Sequence, residues 1–231
     1  MNEHPCLDCT PALVTGTLGH RAWSDAKREA LGECALGECI GEPERDESFN
    51  ALVSLRLSPR GTPADERLCR ATVDFLTAFW DERFAAPHSE DSHPDALCAT
   101  FGFVFSELLE NAFKFNQGGD LHISLGVGGW EWGCRVSNQV SADTVPELCA
   151  QLHELSRAEP GSLLRSRAEA NARHPERGNS GLGVLLLREY GVRLGWTLQP
   201  LSRDQVRVET RARVSLLALQ ALGGRRSGLS R

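Results

Sequence analysis

The chain has 231 residues, of which 41% are apolar, and a formal net charge of −6. This length suits one sizeable domain, because two separate hydrophobic cores would each be small. Acidic and basic residues are interspersed, so the electrostatic footprint of a nucleic-acid-binding protein is missing. No apolar run approaches the roughly 20 residues that cross a bilayer, and residues 1–5 lack the basic and apolar regions of a signal peptide. We therefore expect a cytoplasmic protein that binds neither nucleic acid nor a membrane.

Eight cysteines are distributed along the chain. In a chain of this length without an export signal, we interpret most of them as buried or free thiols. Four lie in apolar segments, where a cysteine acts as a small buried hydrophobe: Cys69, Cys98, Cys134 and Cys149. The other four offer an alternative, a four-thiolate zinc site: Cys6, Cys9, Cys34 and Cys39.

The first 48 residues contain Pro, Gly, Cys and acidic residues without a sustained hydrophobic period. We interpret residues 1–48 as a flexible extension that becomes ordered only by docking on another surface. An apolar alternation at Val53, Leu55 and Leu57 then predicts a strand. The domain is therefore expected to start near Phe49.

Two helices and a hairpin are predicted next. The helices cover 65–84 and 94–116, and the glycines after Gln117 end the second one. Apolar residues then alternate with polar or small ones over 121–127 and again over 130–136. Gly128-Gly129 between these runs predicts a two-residue turn that joins two antiparallel strands.

The remaining chain contains three more predicted helices and a second pair of strands. The helices cover 144–155, 160–171 and 183–190, and the alternating runs lie at 192–198 and 206–214. Residues 216–231 form a basic tail rich in Gly and Ser. This order of elements implies the α/β class: a two-layer α/β sandwich with a mixed, mostly antiparallel sheet and helices on one face.

The helix predicted over 94–116 carries a narrow polar stripe. At about 100° per residue, Glu107, Asn111 and Lys114 share one face, opposite an apolar face. An Asn amide oxygen suits Mg²⁺, Glu107 could take a proton from a hydroxyl, and Lys114 could bind a phosphate. The alternative is that the stripe is the solvated face of an amphipathic helix.

A glycine-rich segment, Gly178-Asn179-Ser180-Gly181-Leu182-Gly183, leads into the helix predicted to begin at residue 183. Free backbone N–H groups and the helix dipole at such a junction favour a phosphate. Glycines there also let the backbone approach a ligand closely. A plain loop-to-helix junction is the alternative.

The stripe and the glycine-rich segment together resemble motifs of the GHKL superfamily of Bergerat-fold ATPases, which includes histidine kinases, gyrase, Hsp90 and anti-sigma-factor serine kinases. Residues 107–115 are similar to its N-box and 178–183 to its G2 box, within a resemblance that covers about 49–215. The resemblance implies an ATP and Mg²⁺ site in which Glu107 is the general base, Asn111 the Mg²⁺ ligand and Lys114 a neighbour of the phosphates. It also places four residues of the G2 box at the nucleotide: Gly178, Gly181, Leu182 and Gly183.

The resemblance further implies an ATP lid in the region between the two boxes. Four arginines would lie in or near this lid, with a solvated helix face as the alternative: Arg165, Arg167, Arg173 and Arg177.

One family motif, the G1 box Asp-x-Gly-x-Gly, departs from the expected pattern in this chain. It should begin near Asn138, where the sequence is Asn-Gln-Val-Ser-Ala. The resemblance puts Asn138 where an Asp accepts a hydrogen bond from the adenine amino group; an Asn oxygen can accept it too, but the amide also brings a donor. Val140 and Ala142 stand where glycines belong and could crowd the base. Asp143 could substitute for the missing Asp if the register shifts.

The function expected from this resemblance is that of a stand-alone regulator. A sensor histidine kinase is disfavoured, because no histidine lies on a long dimerisation helix ahead of the domain. We expect an ATP- and Mg²⁺-dependent regulatory Ser/Thr protein kinase of the anti-sigma-factor-kinase type that acts on a small STAS-type (anti-sigma-factor antagonist) partner, with Glu107 assisting transfer to a hydroxyl. The alternative is a catalytically silent Bergerat-fold regulator that binds a partner and has lost nucleotide or keeps it for structure. A homodimer is compatible with both.

Overall fold

The computed structural model describes residues 39–41, 50–84, 94–128, 131–173 and 182–215. Within these ranges the chain folds as a two-layer α/β sandwich, which confirms the predicted fold class. Residues 85–93 between the first two predicted helices, residues 174–181 before the last one, and the predicted basic tail lie outside the described residues.

One layer is a six-stranded sheet, counted over the described residues, with the order β1-β5-β6-β4-β3-β2. Its strands are β1 (Cys39–Gly41), β2 (Asn50–Leu57), β3 (Leu121–Gly128), β4 (Glu131–Ser141), β5 (Arg193–Pro200) and β6 (Gln205–Ser215). Each described pair of neighbouring strands is antiparallel, so the parallel component expected of a mixed sheet is not found in this part of the chain.

The other layer consists of helices. They are α1 (Ala64–Phe84), α2 (Pro94–Phe115), α3 (Val145–Arg157), α4 (Pro160–Arg173) and α5 (Leu182–Glu189). Helix α2 packs on β4, α1 packs beside α2, and α3 and α5 contact β5. None of the described helices is long and apolar enough to span a membrane.

The hairpin of β3 and β4 has a different turn from the predicted one. Gly128 is the last residue of β3 and pairs with Glu131, so Gly128 is not a turn residue, and residues 129 and 130 lie outside the described residues. Val127 consequently faces Trp132 across the pair. The alternation is unchanged, because a side chain keeps its face when the register moves by two residues.

Strand β1 belongs to the segment that the sequence analysis placed outside the domain. It pairs with β5, lies against α3, and buries Ile40. Gly41 has φ of 90°, and a Cβ at this position would lie 2.6 Å from the carbonyl oxygen of Leu194, so a side chain would not fit there. The sheet therefore extends into the predicted flexible extension.

The described cysteines correct one prediction. Cys69 and Cys134 are free and buried, as expected. Cys149, buried in α3, is disulfide-bonded, so its interpretation as an unpaired thiol is wrong. Disulfide pairing depends on which segments meet in space, and the spacing of cysteines along the chain does not contain that information. The remaining cysteine side chains, and with them the zinc alternative, lie outside the described part: Cys6, Cys9, Cys34, Cys39 and Cys98.

An aromatic cluster holds the N-terminal half of α2 on the sheet. Phe101 and Phe105 meet Trp132 of β4 edge to face, with ring centroids 5.1 and 5.4 Å apart. Trp80 of α1 lies 4.2 Å from Phe101 and closes the cluster. Each such buried side chain contributes about 1.5–3 kcal/mol, and each aromatic pair adds about 0.5–1.5 kcal/mol.

The segment after α2 ties the end of that helix to the end of β4. Asn116 accepts a hydrogen bond from the backbone N–H of Gln139 at 3.0 Å, and Gln117 donates its own N–H to the carbonyl of Gln139 at 2.8 Å. Gly118 and Gly119 then turn the chain with positive φ. These contacts place the last turns of α2 beside the inward side chains of β4.

Candidate functional site

A cavity of about 480 Å³ lies between the sheet and the helices, beside the C-terminal half of α2. Inward side chains of β4, β5 and β6 form its floor, and α2, α3, α4 and α5 contribute its walls. Most of the lining is apolar, with Leu108, Val140 and Leu152 as examples. A volume of about 300–1,000 Å³, a mostly apolar lining and a few polar groups are typical of small-molecule sites.

Two polar side chains lie on the floor of the cavity, Asn138 of β4 and Thr210 of β6. Both occupy inward positions of strands whose other inward residues are apolar, such as Val136 and Val208. Asn138 is only 6% exposed. Neither side chain has a hydrogen-bond partner among the described residues. Both side chains line the cavity, so a ligand bound there could supply hydrogen-bond partners for them.

Glu107 meets the N-terminal turn of α5. Its carboxylate contacts Gly183 and fills the space that a Cβ on residue 183 would occupy. The two ends of the predicted site are therefore in contact, although they are 76 positions apart along the chain. Burial raises the pKa of Glu107, and the negative charge of Glu110 raises it further. A half-buried carboxyl with a raised pKa is suited to proton transfer.

Asn111 lies one turn after Glu107 and lines the cavity. Its amide nitrogen donates a hydrogen bond to the backbone carbonyl of Glu107 at 2.7 Å. This bond leaves Oδ1 available as an acceptor. A single neutral oxygen fits Mg²⁺, because this ion keeps several waters and takes further ligands from nucleotide phosphates. The described residues contain no cluster of three or more His, Cys, Asp or Glu side chains that could hold a metal by itself.

Lys114 does not join the cavity. Its side chain is exposed, and its ammonium lies 5.2 Å from the ring centroid of Phe115. The cation that lines the cavity is Arg167 of α4, which pairs with Glu154 of α3 at 2.5 Å. The predicted polar stripe is thus divided: Asn111 borders the cavity, Glu107 contacts α5, and Lys114 faces solvent.

The glycine-rich segment is described only at its end. Gly178 and Gly181 lie outside the described residues, as does Arg177. Leu182 begins α5, Gly183 follows it in the first turn, and Val184 lines the cavity. The first N–H groups of a helix have no partner within the helix, so this end of α5 can receive an anion.

The region of the predicted G1 box is a strand. Strand β4 continues through Ser141, pairs with β6 along its whole length, and leads into a short 3₁₀ turn at Ala142–Thr144. Val140 lines the cavity and Ala142 is buried, so side chains do occupy the positions where the resemblance expects glycines. Asp143 is exposed and is not part of the lining.

Helix α4 occupies the position of the predicted lid. Arg165 and Arg173 are exposed on it, as the solvated-face alternative has it, whereas Arg167 reaches the cavity. Among the described arginines of the predicted lid, Arg167 therefore lines the cavity and the other two do not.

Sequence reasoning missed several residues of the site. Thr210 and Trp196 lie on the floor of the cavity. Arg188 of α5 links α5 to the end of α3, because it donates hydrogen bonds to the backbone carbonyl of Leu155 and, at 3.1 Å, to that of Ala158. A polar residue at an inward position of a strand was a usable signal for Thr210. The sequence pattern contains no comparable signal for Arg188, whose partners are backbone carbonyls some 30 residues away.

Comparisons with known proteins found no relative of this chain. No protein-family model matches the chain, and neither a curated protein nor a solved structure matches it.

Proposed function

We propose that the chain is a cytoplasmic, ATP- and Mg²⁺-dependent regulatory Ser/Thr protein kinase of the GHKL type, acting on a small STAS-type partner protein. The observation that carries the proposal is the contact of Glu107 with Gly183 at the edge of a cavity that Asn111 lines. A base thereby lies against a helix N-terminus, and a candidate metal-binding oxygen one helical turn away lines the mostly apolar cavity. A phosphorylated nucleotide needs this combination of groups.

The residues present fit a purine nucleotide. The apolar floor and the partnerless amide of Asn138 suit the base, and the first turn of α5 suits the phosphates. Asn111 would hold Mg²⁺ through Oδ1. Arg167 would lie near the mouth, where release from Glu154 would allow it to contact a phosphate.

Glu107 would act as the general base. When bound, ATP supplies the transferable phosphoryl group. Glu107 would take the proton from the serine or threonine hydroxyl of the partner. Its raised pKa lies closer to the operating pH than the pKa of an ordinary glutamate, which makes it a stronger base. Val184 and Leu108 would exclude water from the same region.

A second candidate is the catalytically silent regulator, and two observations favour it. Strand β4 runs through Val140 without a glycine loop, which narrows the floor where a base would bind. In addition, the Glu107 carboxylate lies against Gly183 and is not part of the cavity lining. Catalysis would require the Glu107 side chain to turn toward the cavity, whereas partner binding alone would not.

A thermal-shift titration of the full chain with ATP and MgCl₂ tests nucleotide binding. Ligand at 100 times its dissociation constant stabilises a one-site protein by about 2.7 kcal/mol, which corresponds to several degrees in Tm. We expect a saturable shift that weakens when Mg²⁺ is omitted. The absence of any shift at millimolar ATP would overturn the nucleotide-dependent function and leave the silent regulator.

Phosphoryl transfer is tested with a purified STAS-domain protein, ATP and MgCl₂, followed by mass spectrometry of the acceptor. Glu107→Gln should abolish transfer and keep the ATP-dependent shift. Glu82→Gln is the matched control and should leave transfer unchanged, because Glu82 is exposed on α1 and is not part of the cavity lining. Equal transfer by the wild type and the Glu107 variant would contradict the role of Glu107.

A further inference from the structure

The floor of the cavity ends in two polar groups that can each act as donor or acceptor. Asn138 pairs with Val208 and Thr210 pairs with Val136, so the two side chains are diagonal neighbours on the same face of β4 and β6. An amide offers an oxygen acceptor and an NH₂ donor, and a hydroxyl offers both functions and rotates. Together they form the polar end of an otherwise apolar floor.

The amide of Asn138 is not held in one orientation by the described residues. Two other amides nearby are held: Asn111 donates to the carbonyl of Glu107 at 2.7 Å, and Asn116 bonds to the backbone through both its oxygen and its nitrogen. Asn138 is 6% exposed and lacks any such bond. A rotation of 180° about its last side-chain torsion therefore exchanges donor and acceptor without breaking a hydrogen bond within the described chain.

This freedom matters for the edge of a purine ring. Adenine presents an amino donor at position 6 and an acceptor at N1, whereas a 6-oxopurine presents an acceptor at position 6 and an N–H donor at N1. An amide complements each edge in one of its two orientations. A carboxylate complements only the donor of each edge and sets an unpaired oxygen against the neighbouring acceptor.

We infer that the cavity accepts 6-amino and 6-oxo purine nucleotides alike, and that Asn138 is the residue that determines this breadth. The inference rests on the proposed function, since it assumes that a nucleotide base lies on the cavity floor. The hydroxyl of Thr210 adapts to either base by rotating with the amide.

The test compares ATP with ITP, because these nucleotides differ only at the purine edge. Dissociation constants of the full chain are measured by calorimetry in MgCl₂. We expect the two constants to agree within about 3-fold. Asn138→Asp should weaken ATP and ITP alike by about 10-fold or more, since the carboxylate sets an unpaired oxygen against the acceptor of either edge, and unchanged binding of both nucleotides by this variant would contradict the role of Asn138. Ser137→Ala is the matched control: Ser137 is buried on the same strand but faces the opposite way, so both dissociation constants should stay unchanged.

Asn138→Leu covers the case in which a buried carboxylate prevents folding. Leu has nearly the shape of Asn and no polar group, so both nucleotides should bind more weakly, with their ratio still close to that of the wild type. A wild-type chain that binds ATP and binds ITP more than about 10-fold more weakly would overturn the inference and leave the proposed function intact. A chain that binds neither nucleotide would overturn both.

Discussion

Helix α2 has two halves that meet the rest of the molecule in different ways. The N-terminal half is close-packed: Phe101 and Phe105 are about 1% exposed and lie edge to face against Trp132. The C-terminal half carries Leu108 and Ala112, which are also buried but border a cavity of about 480 Å³. Both pairs belong to one apolar stripe of one helix.

The difference between the halves shows that a buried side chain in this domain lies either in a filled core or beside an open cavity. Around Trp132, side chains from α1, α2 and β4 fill the space, so any loss of volume leaves a void. Around Ala112, side chains of α2, α3 and the sheet surround a cavity and do not fill the space. Solvent exposure alone does not separate the two halves, but the response to substitution should.

The largest effect is expected from Trp132→Ala. Removal of the indole breaks three edge-to-face contacts and opens a cavity in a close-packed region, so we expect the free energy of unfolding to fall by about 3–5 kcal/mol. Urea denaturation followed by circular dichroism measures it. Trp132→Phe is the control: it keeps a ring, and it removes an indole Nε1 that has no hydrogen-bond partner among the described residues, so its effect should be smaller. A loss below about 1 kcal/mol for Trp132→Ala would mean that this half is not close-packed.

A smaller effect, and on binding more than on stability, is expected from Ala112→Phe. The ring would enter the cavity, so the destabilisation should stay below the 1–3 kcal/mol that is usual for overpacking a filled core, while the affinity for ATP should drop at least about 10-fold, or about 1.4 kcal/mol. Calorimetry with ATP and MgCl₂ measures this. Ala71→Phe, at an exposed position of α1, should leave binding unchanged. Unaltered ATP binding by Ala112→Phe would show that the cavity is not the nucleotide site.

The smallest effect concerns the contact of α2 with α5. Gly183→Ala should gain up to about 1 kcal/mol of helix propensity, but the new methyl group collides with the Glu107 carboxylate, which must then move. In a Glu107→Ala background the collision is absent, so the same substitution should be more stabilising there. A double-mutant cycle from urea denaturation measures this coupling, and additive effects within about 0.3–0.5 kcal/mol would show that the two residues are not in contact in solution.

Local signals in the sequence were sufficient to predict most elements. Helix α2 was expected over 94–116 and spans Pro94–Phe115, because Pro marks its start and glycines mark its end. Strand β6 was expected over 206–214 and spans Gln205–Ser215, because its apolar residues alternate. Strand β1 was missed, since three residues contain too little pattern and its stability comes from pairing with β5.

The candidate site was predictable in part. The meeting of Glu107 with the glycine-rich segment was expected from two motifs, and these residues are in contact. Lys114 was expected beside them but faces solvent, because at about 100° per residue it points to a different side of the helix from Asn111 and Phe115, which line the cavity. Thr210 and Arg188 were not anticipated, because their neighbours come from distant parts of the chain.

The sequence by itself determined, for every described element except β1, whether it is helical or extended and which side of it is apolar, because hydrophobic periodicity, proline and glycine act within a few residues. Only the tertiary structure decided which apolar surface is packed and which encloses a cavity, which strand register brings Val127 opposite Trp132, and which polar side chains reach the cavity floor. Those outcomes depend on the distances between elements. Such distances follow from the packing of all side chains together and are not encoded in any single segment.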